Sequence, residues 1–223
     1  GATGTPKITF SLAVERNYQK DKNNKKVDFI NCEMIGQHTE KLSQYVNFKV
    51  GGPADILLTP RSKEQVIKTI DLCRENNIPY YVIGNGSNLL VKDGGCRGVI
   101  ILLININGIT VDGEKIEAEC GAMLKAVSDK AVENSLTGFE FACGIPGTVG
   151  GAVFMNAGAY NGEMSHVIES AEIVNENGEV ITLTKEELEL GYRSSIVMKK
   201  GYVVLSAPFK LKNGTVKSIK DLV

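Results

Sequence analysis

Residues 138–160, GFEFACGIPGTVGGAVFMNAGAY, hold six glycines and four alanines and no Lys or Arg. Gly144, Gly147, Gly150, Gly151 and Gly158 can adopt positive φ and let a large group lie against bare backbone, with amide N–H groups turned toward it. A phosphate held there is held by amides and not by side-chain charge. The same composition also suits tight turns in a close-packed core. A second such stretch, Gly84, Asn85, Gly86, Ser87 and Asn88, follows the apolar run YYVI. Its amides, the Ser87 hydroxyl and the Asn88 carboxamide make a neutral anion cradle, with a plain β-turn as the alternative. A nicotinamide-type Rossmann fingerprint needs glycine at 89 and a helix opening there. Leu89 and LVKDGG instead predict another strand and turn, which disfavours that site.

Other chemistries find little support. His38 and His166 are the only histidines and stand far apart, so a histidine metal site is not expected. Cys32, Cys73, Cys96, Cys120 and Cys143 are odd in number and form no C-x-x-C pair, which argues against a disulfide framework and for reduced thiols in a cytoplasmic protein. The chain of 223 residues is 43% hydrophobic with a formal net charge of −1, enough for one or two globular domains. It carries no run of 18 apolar residues and no apolar leader, so neither a membrane span nor a secretory signal is expected.

The elements that must position these stretches follow from periodicity. Ile8, Phe10, Leu12 and Val14 alternate in one strand, a basic loop QKDKNNKK follows, and VDFINCEMI forms the second strand of a long hairpin. Leu42, Tyr45 and Val46 then recur at helical spacing. Gly51-Gly52-Pro53 breaks the pattern, with a boundary expected near residue 46 and a strand at 55–58. RSKEQVIKTIDLCRENN predicts a helix opened by a Ser62/Gln65 capping box, burying Val66, Ile67, Ile70 and Cys73 and ended by Asn76, Asn77 and Pro79. YYVI predicts a buried strand that completes a parallel β-α-β unit. A buried strand at 99–104, a hairpin through Asp112-Gly113 and an amphipathic helix with Leu124, Val127, Ala131 and Val132 inward come next. Strands at 168–174 and 180–183 join through Asn177-Gly178, and Thr184 with Glu187 predicts a short capped helix.

Two resemblances attach to these residues. Residues 5–46, with FSLAVER, a basic loop, DFINC and LSQY, resemble part of a bacterial single-stranded DNA-binding protein. That implies a partial OB-fold with Tyr18 and Phe29 beside Arg16, Lys20, Lys22, Lys25 and Lys26; the plainer alternative is a core Phe29 and a solvated hairpin tip. The near-zero net charge argues against nucleic acid as the main partner.

FKVGGPAD at 48–55, VIGNGSNLLV at 82–91, the glycine-rich stretch and GYRSS at 191–195, in that order, resemble the FAD-binding portion of the UDP-N-acetylenolpyruvoylglucosamine reductase family over about residues 47–215. The resemblance implies an α+β, two-subdomain FAD-binding fold of the vanillyl-alcohol-oxidase-like type, noncovalent FAD, and NADPH-dependent reduction of UDP-N-acetylglucosamine enolpyruvate in peptidoglycan precursor synthesis. By this resemblance Gly84, Asn85, Gly86, Ser87 and Asn88 hold the pyrophosphate. Gly144, Ile145, Pro146, Gly147, Thr148, Gly150, Gly151, Asn156, Ala157 and Gly158 line the flavin, Arg193 is catalytic and Tyr192 touches substrate. The implied organisation is a 1–46 hairpin-helix segment, FAD subdomains at 47–104 and 105–223, and no substrate domain. The family's general-acid serine and late glutamate find no matching motif here, since Ser194, Ser195 and Ser206 lie in a different context. The expectation is therefore a truncated or hybrid chain, poorly active as an enzyme, the alternative being a nucleic-acid-binding module or an engineered hybrid without catalysis.

Overall fold

The computed structural model describes residues 7–15, 27–35 and 41–214, with side chains from residue 41 onward. The chain divides into two compact units. The first extends to Ile83 and takes in Leu89–Leu102; the second comprises Gly84–Asn88 and the chain from Leu103.

In the first unit, β1 (Lys7–Glu15) and β2 (Val27–Ile35) pair antiparallel in full register, Lys7 opposite Ile35 and Glu15 opposite Val27. β2 then pairs antiparallel with β3 (Ala54–Leu58). The sheet continues through β5 (Cys96–Leu102) to β4 (Tyr80–Ile83), both joined in parallel. The order is β1-β2-β3-β5-β4, so β5 lies between the two strands of the expected β-α-β unit. β5 therefore supplies the continuous apolar run that a parallel strand covered on both faces requires, with Val99, Ile100, Ile101 and Leu102 all buried. β4 is an edge strand in which only Ile83 is buried, and Tyr81 is exposed; the expectation of a buried YYVI strand is corrected accordingly.

The crossover helix α1 spans Lys63–Glu75. Ser62 caps it, its Oγ accepting from Gln65 N at 3.3 Å, while Gln65 Oε1 accepts from Arg61 N at 2.8 Å, one residue earlier than a reciprocal box requires. Thr69 takes the buried place expected of Ile67, and its hydroxyl is satisfied by donating to Gln65 O at 2.7 Å. The helical spacing at Leu42–Val46 yields one 3-10 turn, Leu42–Gln44. Leu42 and Val46 pack with Ala54, Leu57, Ile83, Val91, Ile100 and Leu102, so the boundary expected near residue 46 falls within this core. The strand expected after Leu89 is not formed; residues 89–95 run as irregular chain with Val91 buried. Arg16, Tyr18, Lys20, Lys22, Lys25, Lys26 and His38 lie outside the described residues, as does the side chain of Phe29.

The second unit holds an antiparallel sheet of order β12-β11-β13-β7-β6. Its strands are β6 (Ile109–Asp112), β7 (Lys115–Glu119), β11 (Ser170–Val174), β12 (Val180–Thr184) and β13 (Val203–Lys210). Both expected hairpins form, with Asp112 opposite Lys115 and Val174 opposite Val180. α2 (Leu124–Glu133) buries Leu124, Val127, Ser128 and Ala131. Short pairs β8 (Leu136–Thr137) with β14 (Lys212–Asn213), and β9 (Gly158–Ala159) with β10 (Gly162–Glu163), tie the loops. α3 (Val149–Phe154) carries Gly150 and Gly151, and α4 (Ile196–Lys200) precedes β13. The capping residues Thr184 and Glu187 bond reciprocally, at 2.8 and 3.3 Å, but close successive turns and no helix.

Candidate functional site

The loop Gly84–Asn88 packs on the glycine-rich stretch within the second unit. Asn85 Nδ2 donates to Pro146 O at 2.8 Å, and Asn88 Nδ2 lies 3.5 Å from Met155 Sδ. Gly84 meets Thr148 so closely that a Cβ on residue 84 would stand 2.1 Å from Thr148 Oγ1, and Ser87 faces Gly147. The sequence places these two stretches some sixty residues apart; the fold joins them.

Gly86 decides what this junction can do. It has φ +60° and is buried, and among the described residues no acceptor within the chain takes its amide. A buried N–H without a partner is costly, so an amide kept that way answers to an acceptor from outside the chain. Among the described residues no acceptor takes the amides of half-buried Asn85 and Ser87 or of exposed Asn88 either, and Thr148, 2% exposed, adds a hydroxyl without a partner among them. These are neutral donors on one short loop packed against Thr148, a donor set that suits a phosphate.

The mechanism expected for the five glycines is corrected. None of Gly144, Gly147, Gly150, Gly151 and Gly158 has positive φ. Two of them, Gly150 and Gly158, serve the fold by lacking a side chain. Gly150 and Gly151 lie in α3, where a Cβ on Gly150 would meet Cys120 at 3.1 Å, and Gly158 approaches the carbonyl of Gly162. A Cβ at Gly144 would meet nothing within 4 Å, and one at Gly147 only ordinary contacts from 3.6 Å. Ile145 is half-buried and bonded through its amide to Ala142 O, and Ala157 is buried, its amide donating to Ala152 O.

Positive φ appears instead at residues with side chains: Asn156 (45°), Tyr160 (49°), Asn161 (63°) and Arg193 (51°). Tyr160 and Asn161 are the two loop residues between β9 and β10, both left-handed as a type I′ turn demands. Tyr192 and Arg193 fill the turn closed by Gly191 N to Ser194 O at 3.0 Å and Ser194 N to Gly191 O at 3.1 Å. Holding such residues left-handed costs about 1–2 kcal/mol each. The two turns flank a cleft of about 450 Å³ lined by Asn156, Glu163, His166, Tyr160, Tyr192 and Arg193 among others. Tyr160 is 86% and Tyr192 92% exposed. Glu163 was not among the residues singled out above, and His166 entered only as a histidine far from His38; the signal available was Asn161-Gly162, a turn dipeptide that brings the chain back past the cleft.

Glu163 is ionised at neutral pH. Hydrogen bonds from Ser165 and then Asn156 hold its carboxyl below the ordinary carboxylate range. A depressed folded pKa contributes stability above the unfolded value, and that contribution is lost as pH falls through the folded one. Glu163→Gln is therefore expected to flatten part of the acid limb of a thermal-stability profile below about pH 4.3, the ordinary Glu value, leaving the profile above pH 6 unchanged in shape. An acid limb identical in the variant would contradict this.

A family model described as FAD binding domain matches residues 54–184, more than half of the chain. The chain belongs to the FAD-binding domain family. The amide cradle at Gly84–Asn88 and Thr148 fits that cofactor, whose pyrophosphate offers the acceptors the cradle lacks. Among curated proteins, this FAD-binding chain is 62% identical over 182 residues to a UDP-N-acetylenolpyruvoylglucosamine reductase of Clostridium perfringens and 64% identical over 183 residues to one of Clostridium beijerinckii. Each alignment covers 82% of this chain and 60% of the relative, so the chain spans about 60% of the length of the curated relatives it matches. The crystal structure of the reductase from Thermus caldophilus superposes with TM-score 0.70 at 35% identity, covering 82% of this chain and 65% of that one. A glucose dehydrogenase variant of Phl p 4 (TM-score 0.58, 15% identity, covering 80% of this chain and 38% of that one) shares the fold alone. The α+β FAD-binding fold of vanillyl-alcohol-oxidase-like type is thus the architecture of this chain. Among the described residues no helix is long and apolar enough to cross a membrane, and no cluster of His, Cys, Asp and Glu is arranged to hold a metal.

Proposed function

We propose that this chain is the FAD-binding part of an NADPH-dependent reductase of UDP-N-acetylglucosamine enolpyruvate, an oxidoreductase of peptidoglycan precursor synthesis acting in the cytoplasm. The observation that carries the reading is one unit holding both the amide cradle and a cleft with Arg193 on a strained turn. The reductase names of the relatives support it.

FAD, when bound, supplies the two-electron hydride chemistry. Gly84–Asn88 and Thr148 hold its pyrophosphate with neutral donors, while the bare backbone around Gly144, Gly147 and Gly151 gives it room. Arg193 faces the enolpyruvyl carboxylate. As the β-carbon of that group becomes saturated, negative charge grows on the α-carbon and its carboxylate, and a guanidinium already fixed in place stabilises it without reorganising. Tyr192, beside it and exposed, lies against the nucleotide-sugar.

The test is a titration of UDP-N-acetylglucosamine enolpyruvate into the FAD-loaded chain, followed by the visible flavin spectrum. A saturable perturbation given by the enolpyruvyl nucleotide and not by UDP-N-acetylglucosamine supports the reading. Equal responses to both nucleotides, or none to either, would sink it.

A further inference from the structure

The geometry points to Asn156 and Ser195 as positioning residues that hold the Arg193 turn against the end of α3, and so set where the guanidinium stands in the cleft. The inference rests on the reading of Arg193 given above.

Arg193 at φ 51° occupies a place in a tight turn that glycine ordinarily fills, and its backbone stays there only if the surroundings over-determine it. Two buried side chains do so. Asn156 is 3% exposed; its Nδ2 donates to Gly191 O at 3.1 Å, and its Oδ1 accepts from Ser165 N at 2.9 Å. Its carboxamide is thus engaged within the chain at both ends, and its left-handed backbone, tolerable for asparagine, aims it back at the turn. Ser195 is fully buried; its hydroxyl donates to Phe154 O, the last residue of α3, at 2.6 Å and accepts from Met198 N at 3.1 Å as the cap of α4. Residues 191 and 195, on either side of Arg193, are therefore tied to residues 156 and 154. The glycine-rich stretch, besides holding a cofactor, sets the register of the arginine.

This assigns Asn156 a task different from a flavin contact. Asn156→Asp keeps volume, left-handed tolerance and the acceptor for Ser165 N, removes the donor to Gly191 O together with the one that lowers the Glu163 carboxyl, and adds a charge beside Glu163, so it is read against Ser195→Ala, which leaves Glu163 untouched. Ser195→Ala removes the second tie, and either variant carries the test should the other fail to fold. Hydrogen exchange of the Ser194 amide and the affinity for UDP-N-acetylglucosamine enolpyruvate are measured on FAD-loaded protein for wild type, both variants, Arg193→Ala, and each variant combined with Arg193→Ala. Expected are exchange at least about tenfold faster, the factor given by about 1.4 kcal/mol, flavin content within twofold of wild type, and substrate binding weakened in each single variant. The double variants should bind no more weakly than Arg193→Ala alone, because a residue that acts through Arg193 has nothing left to position. Unchanged exchange, or additive losses in the doubles, would overturn the inference. If Arg193→Ala itself leaves substrate affinity intact, the reading of Arg193 falls, while the exchange result still decides whether the turn is tied as described.

Discussion

Gly86→Val purifies without flavin, and Gly147→Val does the same for a different reason. At Gly86 the backbone sits at φ +60°, where a β-branched residue is strained, and the site is buried beside an amide with no acceptor among the described residues. On the proposed reading, valine there displaces the amide that holds the pyrophosphate. At Gly147 the backbone is unstrained and a Cβ would find only ordinary contacts, to Ser87 Oγ at 3.6 Å and to Ile145 and Leu124 at 3.8 Å. The chain itself has room, so lost flavin at that position reports on the ligand. Both variants are expected to keep wild-type far-UV circular dichroism while flavin content falls below about one tenth, a loss of more than about 1.4 kcal/mol. Full flavin in the Gly147 variant would remove that residue from the cofactor site.

On the function proposed above, Arg193→Ala is expected to keep its FAD and to lose about 10²–10³-fold of whatever reduction of the enolpyruvyl nucleotide the chain itself supports, the usual effect of removing one preorganised donor from a developing anion. Arg193→Lys should recover only part of this, because an ammonium keeps the charge but not the planar fork that matches a carboxylate. Alanine also relaxes none of the left-handed strain, so folding stability is expected to change little. The readout is the initial rate at saturating NADPH in FAD-loaded protein, with flavin content measured on the same sample. A loss below about threefold, well under 1 kcal/mol, would contradict a role for Arg193 at the reacting carbon.

Much of this was legible in the sequence because it depended on local chemistry. The N-terminal hairpin, α1 with its Ser62 cap, α2 and the two hairpins turning at Gly113 and Gly178 follow from periodicity and turn residues, which act within a few positions. What escaped depended on partners distant in the chain. β4 is as apolar as a buried strand, yet it lies at the sheet edge because β5 takes the central place. Leu89–Val91 has strand composition but pairs with no strand among the described residues. The bonds between Thr184 and Glu187 formed as their spacing required, but after the turn that buries Leu188 the backbone goes left-handed at Glu189 (φ 46°) and no helix continues.

At the site, the sequence offered candidate residues but not their conformations. The glycine-rich composition suggested left-handed glycines, but the left-handed positions went to Asn156, Tyr160, Asn161 and Arg193, held there by tertiary bonds that no local pattern encodes. Ser195 looked like one serine of a pair; its burial and its bond to Phe154 O come from the packing of α4 on α3.

The central claim, that the junction of Gly84–Asn88 with Thr148 is built around the pyrophosphate of FAD, is tested most directly by stoichiometry. The chain is incubated with excess FAD and, separately, with FMN, then desalted, and the flavin released by denaturation is measured against protein. The account predicts about one FAD retained per chain and little FMN, since FMN lacks the second phosphate and the adenosine that the cradle would anchor. Equal retention of FAD and FMN, or a colourless chain that takes up neither, would contradict it.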